Sequence, residues 1–399
     1  MKYNHPVEIP MSKRLFFDWI GPRIPTATPL VRGDTYPITW ADDNGLYSGS
    51  GDPWWMMLDG KYYGTNDWRE TEEVYRGTSG LVIEKFPDGP EPFNVERVND
   101  MPGFIGGGGC GPKPTGMICV DSKLYFAAQN LLGSKPPRFR EKSQHGSDAT
   151  ILCSEDYGKT WNPDLNKLLY DMESEQYERT SNYGIGWKTS PEERVSYQGW
   201  EPMFPGNLFG GPSFVQFGKN NADAIDEYIY AVSPDQWDNG RELRLGRVHK
   251  EHIMDRAKWE FAIPDDDKGV QWTKDLEGSK PILSIDGHMS LAEMVYIRSI
   301  QKFILVTGAF HTDFRTPTGS ELTILESGKP WGPFSLVHYE WMWYKREMAG
   351  YNPRIPMKWL DQESLEGYLL NSGDWETGAP YYLPQIRKFK FSIRKDNCK

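Results

Sequence analysis

Only four cysteines occur in 399 residues, and Cys110, Cys119, Cys153 and Cys398 show no paired metal spacing. They are too sparse for a disulfide scaffold, and three of them read as small core residues. The seven histidines do not cluster at metal spacing, and neither H-E-x-x-H nor a Ser/His/Asp signature is present, which argues against structural zinc. No run approaches the ~18 apolar residues of a membrane span, and mean hydropathy is −0.65, so a soluble chain is expected. Basic residues are outnumbered, 45 Lys and Arg against 56 Asp and Glu, and are not clustered. A net charge of −11 therefore speaks against a nucleic-acid or anionic-membrane surface and favours a neutral ligand. Met1 to Pro10 lacks a basic stretch followed by an apolar core, so no leader is visible. The corresponding expectation is a cytoplasmic protein, or a secreted or periplasmic one whose leader has been trimmed.

What the chain has in plenty is turn formers and aromatics. Forty Gly, 30 Pro, 16 Trp, 21 Tyr and 18 Phe favour many short strands joined by shaped loops and exclude a helical bundle. One pattern recurs five times: a polar turn, then a strand that opens on aromatic or Leu-Tyr residues and ends on a polar one. It runs from Asp43 to Asp52, Asp121 to Asn130, Asp226 to Asp235, Gln301 to His311 and Leu365 to Asp374. Each copy follows another strand-like run: Tyr36 to Ala41, Thr115 to Val120, Pro212 to Phe217, Ser290 to Ile297 and Arg354 to Leu360. Third and fourth strands usually follow, as at Ala149 to Cys153 with Thr160-Trp161, and Glu242 to Val248 with Trp259 to Ala262. Four strands repeated five times predict an all-β, five-bladed β-propeller. It forms a single domain over 1–399, with blades at about 30–100, 111–165, 210–263, 281–338 and 352–395 and residues 13–19 closing the last blade.

The copies lie roughly 65 to 105 residues apart, against the ~40 to 50 of a minimal blade, so long loops are inserted. Strand alternation places them on one face. The start of each inner strand, the end of the second strand and the crossovers between blades share a rim. Asp52 to Gly80, Leu131 to Asp148, Asn162 to Gly211, Pro264 to Gly287 and Tyr339 to Pro353 all fall there. The turns at Asp42 to Gly45 and Asp121 to Lys123 fall on the opposite, plain face.

Carboxylates on the elaborated rim give the sharpest functional signal. Asp34 precedes the inner strand of the first blade and Asp52 ends the strand paired with it, so topology makes them neighbours. Asp235 ends the equivalent strand of the third blade, Asp374 that of the fifth, and Glu201 lies in a long crossover. Glycoside hydrolysis needs one group to protonate the leaving oxygen and another to activate water or attack carbon, and two carboxylates supply both. Asp34, Asp52 and Asp235 are the catalytic candidates. The competing explanation is that loop-edge Asp residues often cap turns, and it is the convergence on one rim that favours chemistry. Asp42-Asp43 lie on the plain face, where Asp-Asn-Gly is ordinary hairpin chemistry. For Asp34→Asn or Asp52→Asn, the position of these residues in surface loops predicts lost turnover with stability held within about 1 kcal/mol.

Substrate-binding candidates on the same rim are Lys113, Asn130, Glu201, His288, His311, Arg315, Arg354, Asp374, Trp54 and Trp200. Solvated lysines and core histidines are common alternatives for single members. His288 and His311 fall at the start and end of paired strands in one blade. Trp and Tyr crowd the inserted loops, and the flat C–H faces of sugars pack on such rings, so a carbohydrate groove fits. Gly106 to Gly111 is not followed by Gly-Lys-Ser/Thr and is no phosphate loop. No spacing specifies a metal or cofactor; a divalent ion on the axis is compatible with the fold, but no ligand motif requires one. The sequence gives no oligomeric state.

Ser154 to Trp161 matches the Asp-box S-x-D-x-G-x-T-W of sialidase-like propellers at every defining position, a signal for the fold and not for catalysis. With Gly33 to Tyr47, Gly111 to Met117, Phe214 to Gly218 with Glu227 to Tyr230, and Pro330 to Phe334, the chain resembles, over nearly its whole length, a family long of unknown function. That family includes the bacterial endo-D-arabinanases of glycoside hydrolase family 183 and is related in shape to five-bladed family 43 enzymes. The resemblance implies a five-bladed propeller acting on a furanoside polysaccharide, with carboxylates at the mouth of the axial channel, carried here by Asp34 and Asp52. A polysaccharide lyase is the runner-up, with a Tyr or His as base and Arg or Lys neutralising a uronate. His288, His311, Arg315, Arg354 and Lys113 could make up that set. A non-catalytic glycan-binding propeller is the third reading.

Overall fold

A computed structural model describes residues 7–26, 33–51, 55–58, 61–64, 81–101, 113–129, 148–164, 202–236, 239–265, 269–310, 320–344, 350–373 and 383–394. The chain opens on β1 (Leu15–Pro25), which joins the last sheet. The first sheet is β2 (Ile38–Trp40), β3 (Leu46–Gly51), β6 (Leu81–Phe86) and β7 (Glu96–Met101), interrupted by the hairpin β4 (Trp55–Leu58) and β5 (Lys61–Gly64). The second is β8 (Lys113–Val120), β9 (Lys123–Gln129) and β10 (Thr150–Ser154). The third runs β11 (Ser213–Phe214), β12 (Tyr228–Pro234), β13 (Gly240–His249), β14 (Glu260–Asp265) and β15 (Gly269–Thr273), with β16 (Leu283–Met289) paired beside β13. The fourth is β17 (Glu293–Ile297), β18 (Lys302–Phe310), β19 (Ser320–Ser327) and β20 (Ser335–Tyr344). The fifth is β21 (Tyr351–Arg354), β22 (Glu366–Ser372) and β23 (Pro384–Ile393), completed by β1.

The cores show that these sheets close into a ring. Five clusters of buried apolar side chains fill five gaps, each between two consecutive sheets. One example is Met117, Phe126 and Leu152 against Tyr47 and Ile83; another is Tyr36, Ile38 and Phe86 against Leu370 and Ile386, which joins the fifth sheet back to the first. A sheet that buries both faces must find a partner on each side, and five sheets satisfy one another only when the series closes. The molecule is a five-bladed β-propeller. The first strand of each blade lines the axis. There the Cys119 N–H donates to Thr39 Oγ1 at 3.0 Å, and Gln216 Nε2 donates to Met117 O at 2.8 Å. Gln216 also bridges in parallel to Val295. Gly116 is required by this crowding, since a Cβ there would lie 2.6 Å from Pro212 O.

The recurring polar-turn pattern has a structural cause. Asp43 Oδ1 accepts from the Gly45 N–H (2.7 Å) while its Oδ2 accepts from the Tyr47 hydroxyl (2.8 Å). Asp226 repeats both contacts with Tyr228 N–H (2.9 Å) and the Tyr230 hydroxyl (2.7 Å). One carboxylate thus caps the hairpin and anchors the strand's aromatic, all on the plain face. The turn at 154–161 is equally self-contained. Gly158 N–H donates to Ser154 Oγ (2.8 Å), Asp156 accepts from Thr160 N–H (2.9 Å) and Oγ1 (2.7 Å), and the Trp161 ring packs on Phe126 at 5.5 Å.

Three strand expectations are corrected. The inner strand of the fifth blade is Tyr351–Arg354, and residues beyond it form a 3₁₀ turn at Met357–Trp359, because Pro353 sits at a bulge and Pro356 ends the strand. Among the described residues the second blade has only a Cys153–Asn162 bridge in place of a fourth strand. Much of 264–287, expected as a loop, belongs to strands β15 and β16 extending the third sheet.

Ring closure depends on β1, which pairs with β23 from Leu15–Ile393 to Pro25–Gln385. Phe17 is buried there, 5.3 Å from Phe389 and 4.7 Å from His338 between ring centroids, and so joins the fourth and fifth blades. Phe17→Leu is expected to lower unfolding stability by about 1–2 kcal/mol. Denaturant titration checks this, and a value within error of wild type would show that β1 merely lies over an already stable ring.

Candidate functional site

Gly33 begins the approach to the axis. Its φ of 150° and the 2.7 Å that would separate a Cβ from Gly51 O leave no place for a side chain. Asp34 then exchanges both backbone hydrogen bonds with Gly51, N–H to O at 2.9 and 3.0 Å. Next, Thr35 and Tyr36 take φ of 77° and 39°, a region that a β-branched or aromatic residue occupies only under constraint. The constraints are identifiable. Thr35 N–H donates to Ser372 Oγ at 2.8 Å, and Thr35 O accepts from Arg354 Nε at 3.2 Å. Strained backbone immediately beside a rim carboxylate is a recurrent feature of active sites.

Asp34 is buried, 5% exposed, as is Lys113 at 2%. Lys113 Nζ lies 3.5 Å from Asp34 Oδ2, and the Tyr351 hydroxyl donates to the same oxygen at 3.2 Å. The first, second and fifth blades each contribute one group, and a carboxylate this sheltered needs both the counter-charge and the donor. Gly51 has no side chain because Pro114, Asp34 Oδ1 and Lys113 Cδ stand 2.9, 3.0 and 3.2 Å from where its Cβ would be. This burial corrects the expectation that replacing Asp34 leaves stability untouched, since a variant would take one negative charge from beside a buried ammonium.

One layer below lies Arg354, fully buried. Its Nε donates to Thr35 O, its Nη1 to Ser213 Oγ (3.0 Å) and Ala292 O (3.4 Å), and its Nη2 to Thr115 O (3.3 Å). Those acceptors belong to blades one, three, four and two, and Arg354 itself to blade five. The guanidinium ties all five blades at the axis, where its planar fork reaches several acceptors at once. Arg354 is therefore corrected from a ligand-facing group to a structural one. Glu293, buried nearby, accepts from the Ile355 N–H at 2.5 Å, and burial pushes its carboxyl up to about 7 against the pull of Arg354.

Two other candidates are engaged by their own neighbourhoods. Asp235 Oδ1 accepts from the N–H groups of Arg241 (2.9 Å) and Glu242 (3.1 Å), so it caps the β12–β13 hairpin as loop-edge Asp residues commonly do. His288 sits on β16, which pairs with β13 of the third sheet just before the chain enters the fourth blade's inner strand. Its Nδ1 is 2.6 Å from Glu321 Oε1, and that hydrogen bond raises the imidazole pKa. Glu321 Oε2 accepts from the Tyr339 hydroxyl at 2.6 Å. Asp52, Asn130, Glu201, His311, Arg315, Asp374, Trp54 and Trp200 lie outside the described residues. Among the described residues no three His, Cys, Asp or Glu gather closely enough to hold a metal ion.

Sequence reasoning missed Tyr351 and Gln129. Tyr351 was hidden because it falls within 339–353, a stretch read as an inserted rim loop. Gln129 is one residue short of the polar position that the repeat singles out, and β9 ends on it. A further buried group, Glu84, is hydrogen-bonded by the Ser50 hydroxyl at 3.1 Å. Burial pushes its carboxyl from 4.5 up to about 8, with Ser50 and Arg97 pulling the other way. Between those values the folded chain holds a proton that the unfolded chain has released, so stability falls as pH rises through the window. Glu84→Gln is expected to flatten that fall and to gain roughly 1–2 kcal/mol over wild type above pH 8, net of the amide's own desolvation. Unfolding midpoints at pH 5 and 9 test it, and an equal drop in both proteins would refute it.

No protein-family model matches the chain, and no curated protein matches its sequence. Solved structures do resemble it. An alpha-L-arabinofuranosidase of Podospora anserina shares 10% identity over 95% of this chain and 98% of its own, at a TM-score of 0.43. A family 43 endo-arabinanase of Bacillus licheniformis shares 9% over 92% and 96%, also at 0.43. A protein of unknown function from Dyadobacter fermentans shares 12% over 95% and 99%, at 0.45. Likeness of this degree carries no inference about chemistry, because unrelated activities share one scaffold.

Proposed function

We propose that this chain is a carbohydrate-active enzyme that cleaves glycosidic bonds of a polysaccharide, a glycoside hydrolase with Asp34 as a catalytic carboxylate. The observation that carries the reading is the seating of Asp34 on constrained backbone, with Lys113 at 3.5 Å and the Tyr351 hydroxyl at 3.2 Å from adjoining blades. A carboxylate held in that way is pre-positioned to activate water or to attack an anomeric carbon. Its proposed partner is Asp52, which follows directly in the chain on Gly51, the residue that pairs with Asp34. A furanoside, arabinan-like substrate and endo action follow from the resemblance set out above. Elimination is disfavoured by the commitment of Arg354 to the blades, which removes one of the cations a uronate would need.

The test is incubation with a panel of arabinans, galactans and uronate-containing gums. Release of reducing ends without ultraviolet absorbance is the expected result. An unsaturated-uronate chromophore would select the lyase reading, and oligosaccharide binding with no new reducing ends would leave a glycan-binding propeller.

A further inference from the structure

Gln129 ends β9, in register with Lys113 across the β8–β9 hairpin. It is fully buried, yet among the described residues neither Oε1 nor Nε2 has a hydrogen-bond partner. Orphaned amide ends in a folded core are costly, and in native proteins they call for an explanation. The surroundings locate the group. The Cβ position of Gly211 lies 3.0 Å from Gln129 Oε1, 3.4 Å from Leu291 Cδ2 and 3.8 Å from Thr115 Cγ2. The carboxamide therefore stands where the second, third and fourth blades meet at the axis, next to the residue whose carbonyl receives Arg354. Asp34, Lys113 and Tyr351 occupy the side of the axis formed by the first, second and fifth blades, and the Lys113–Gln129 pairing joins the two halves.

The geometry points to Gln129 as a substrate-binding residue of this site, resting on the hydrolase reading above, whose carboxamide pairs with two neighbouring hydroxyls of a neutral sugar. A carboxamide presents one acceptor and two donors side by side and no charge, which complements a vicinal diol, where each hydroxyl both donates and accepts. A uronate carboxylate would place acceptors against the amide oxygen. Gly211 is part of the arrangement, because any side chain there would displace the amide. An unpaired amide in the free enzyme also carries a measurable signature: it lowers stability for the sake of binding, so removing it separates the two properties.

The experiment compares wild type with Gln129→Leu, measuring KM and kcat on the polysaccharide that the panel identifies, affinity for arabinobiose, galactobiose and digalacturonate by calorimetry, and the thermal midpoint. The expected result is a KM and a disaccharide Kd weakened about 10- to 100-fold, as for loss of a hydrogen-bonded pair in a sheltered site, with a midpoint equal to or above wild type. A lowered midpoint with unchanged KM and Kd would make Gln129 structural and overturn the inference while the hydrolase reading stands. Preference of wild type for digalacturonate would overturn the neutral-diol assignment. A wild type that turns over no polysaccharide and binds no disaccharide would sink the inference together with the reading beneath it.

Discussion

Asp34→Asn is expected to lower turnover on the substrate polysaccharide by about 10²- to 10⁴-fold, the range a positioned acid–base group contributes. The amide keeps the shape and still accepts from the Tyr351 hydroxyl, but it cannot activate water or attack carbon. It also takes one negative charge from beside the Lys113 ammonium, 2% exposed, and breaking a buried pair from one side costs about 3–5 kcal/mol. A bare activity loss would therefore be ambiguous between chemistry and folding. The double variant Asp34→Asn with Lys113→Met resolves it, since removing both charges restores much of the stability and none of the catalysis. Circular dichroism melts alongside reducing-end assays give both readouts. Turnover of the double variant within tenfold of wild type would remove Asp34 from the mechanism.

Arg354→Met is expected to be the most destabilising single change in the described residues, on the order of 5 kcal/mol. The substitution leaves Thr35 O, Thr115 O, Ser213 Oγ and Ala292 O facing an apolar stem and takes the positive charge from beside Glu293. Arg354→Lys keeps a charge but offers a point ammonium that cannot span four blades, so it is expected to recover only a minor part of the loss. The effect reaches the proposed chemistry too. Arg354 holds Thr35 in its positive-φ conformation directly beside Asp34, so folded Arg354→Lys should show reduced kcat in proportion to lost order at that turn. Urea unfolding is the measurement, and a midpoint within about 1 kcal/mol of wild type for Arg354→Met would show that the five blades hold without an axial tie.

The architecture was legible because it is written locally and five times over. An Asp that caps its own hairpin amide and receives the hydroxyl of a Tyr four residues on leaves the same imprint at Asp43–Tyr47 and Asp226–Tyr230. The eight residues of 154–161 satisfy one another within a single turn. Contacts of such short range survive in the order of the letters. The placement of Asp34 beside the end of its partner strand was readable for the same reason, since hairpin pairing follows from strand length and turn.

The identity of the groups that surround Asp34 was not local. Tyr351 stands 317 positions away in the chain, and the acceptors of Arg354 come from four separate blades. Asp235 and Asp34 look alike in sequence, both at strand ends on the same rim. One turns its oxygen onto the amides of its own loop while the other faces an ammonium from the next blade. The sequence by itself determined that strands form, where they turn and that the unit repeats, because hydrogen bonding within a hairpin and alternation of apolar residues need only near neighbours. Which side chains meet at the axis was decided by tertiary closure alone, because the burial and ion pairing that set a residue's chemistry depend on groups delivered from all five blades at once.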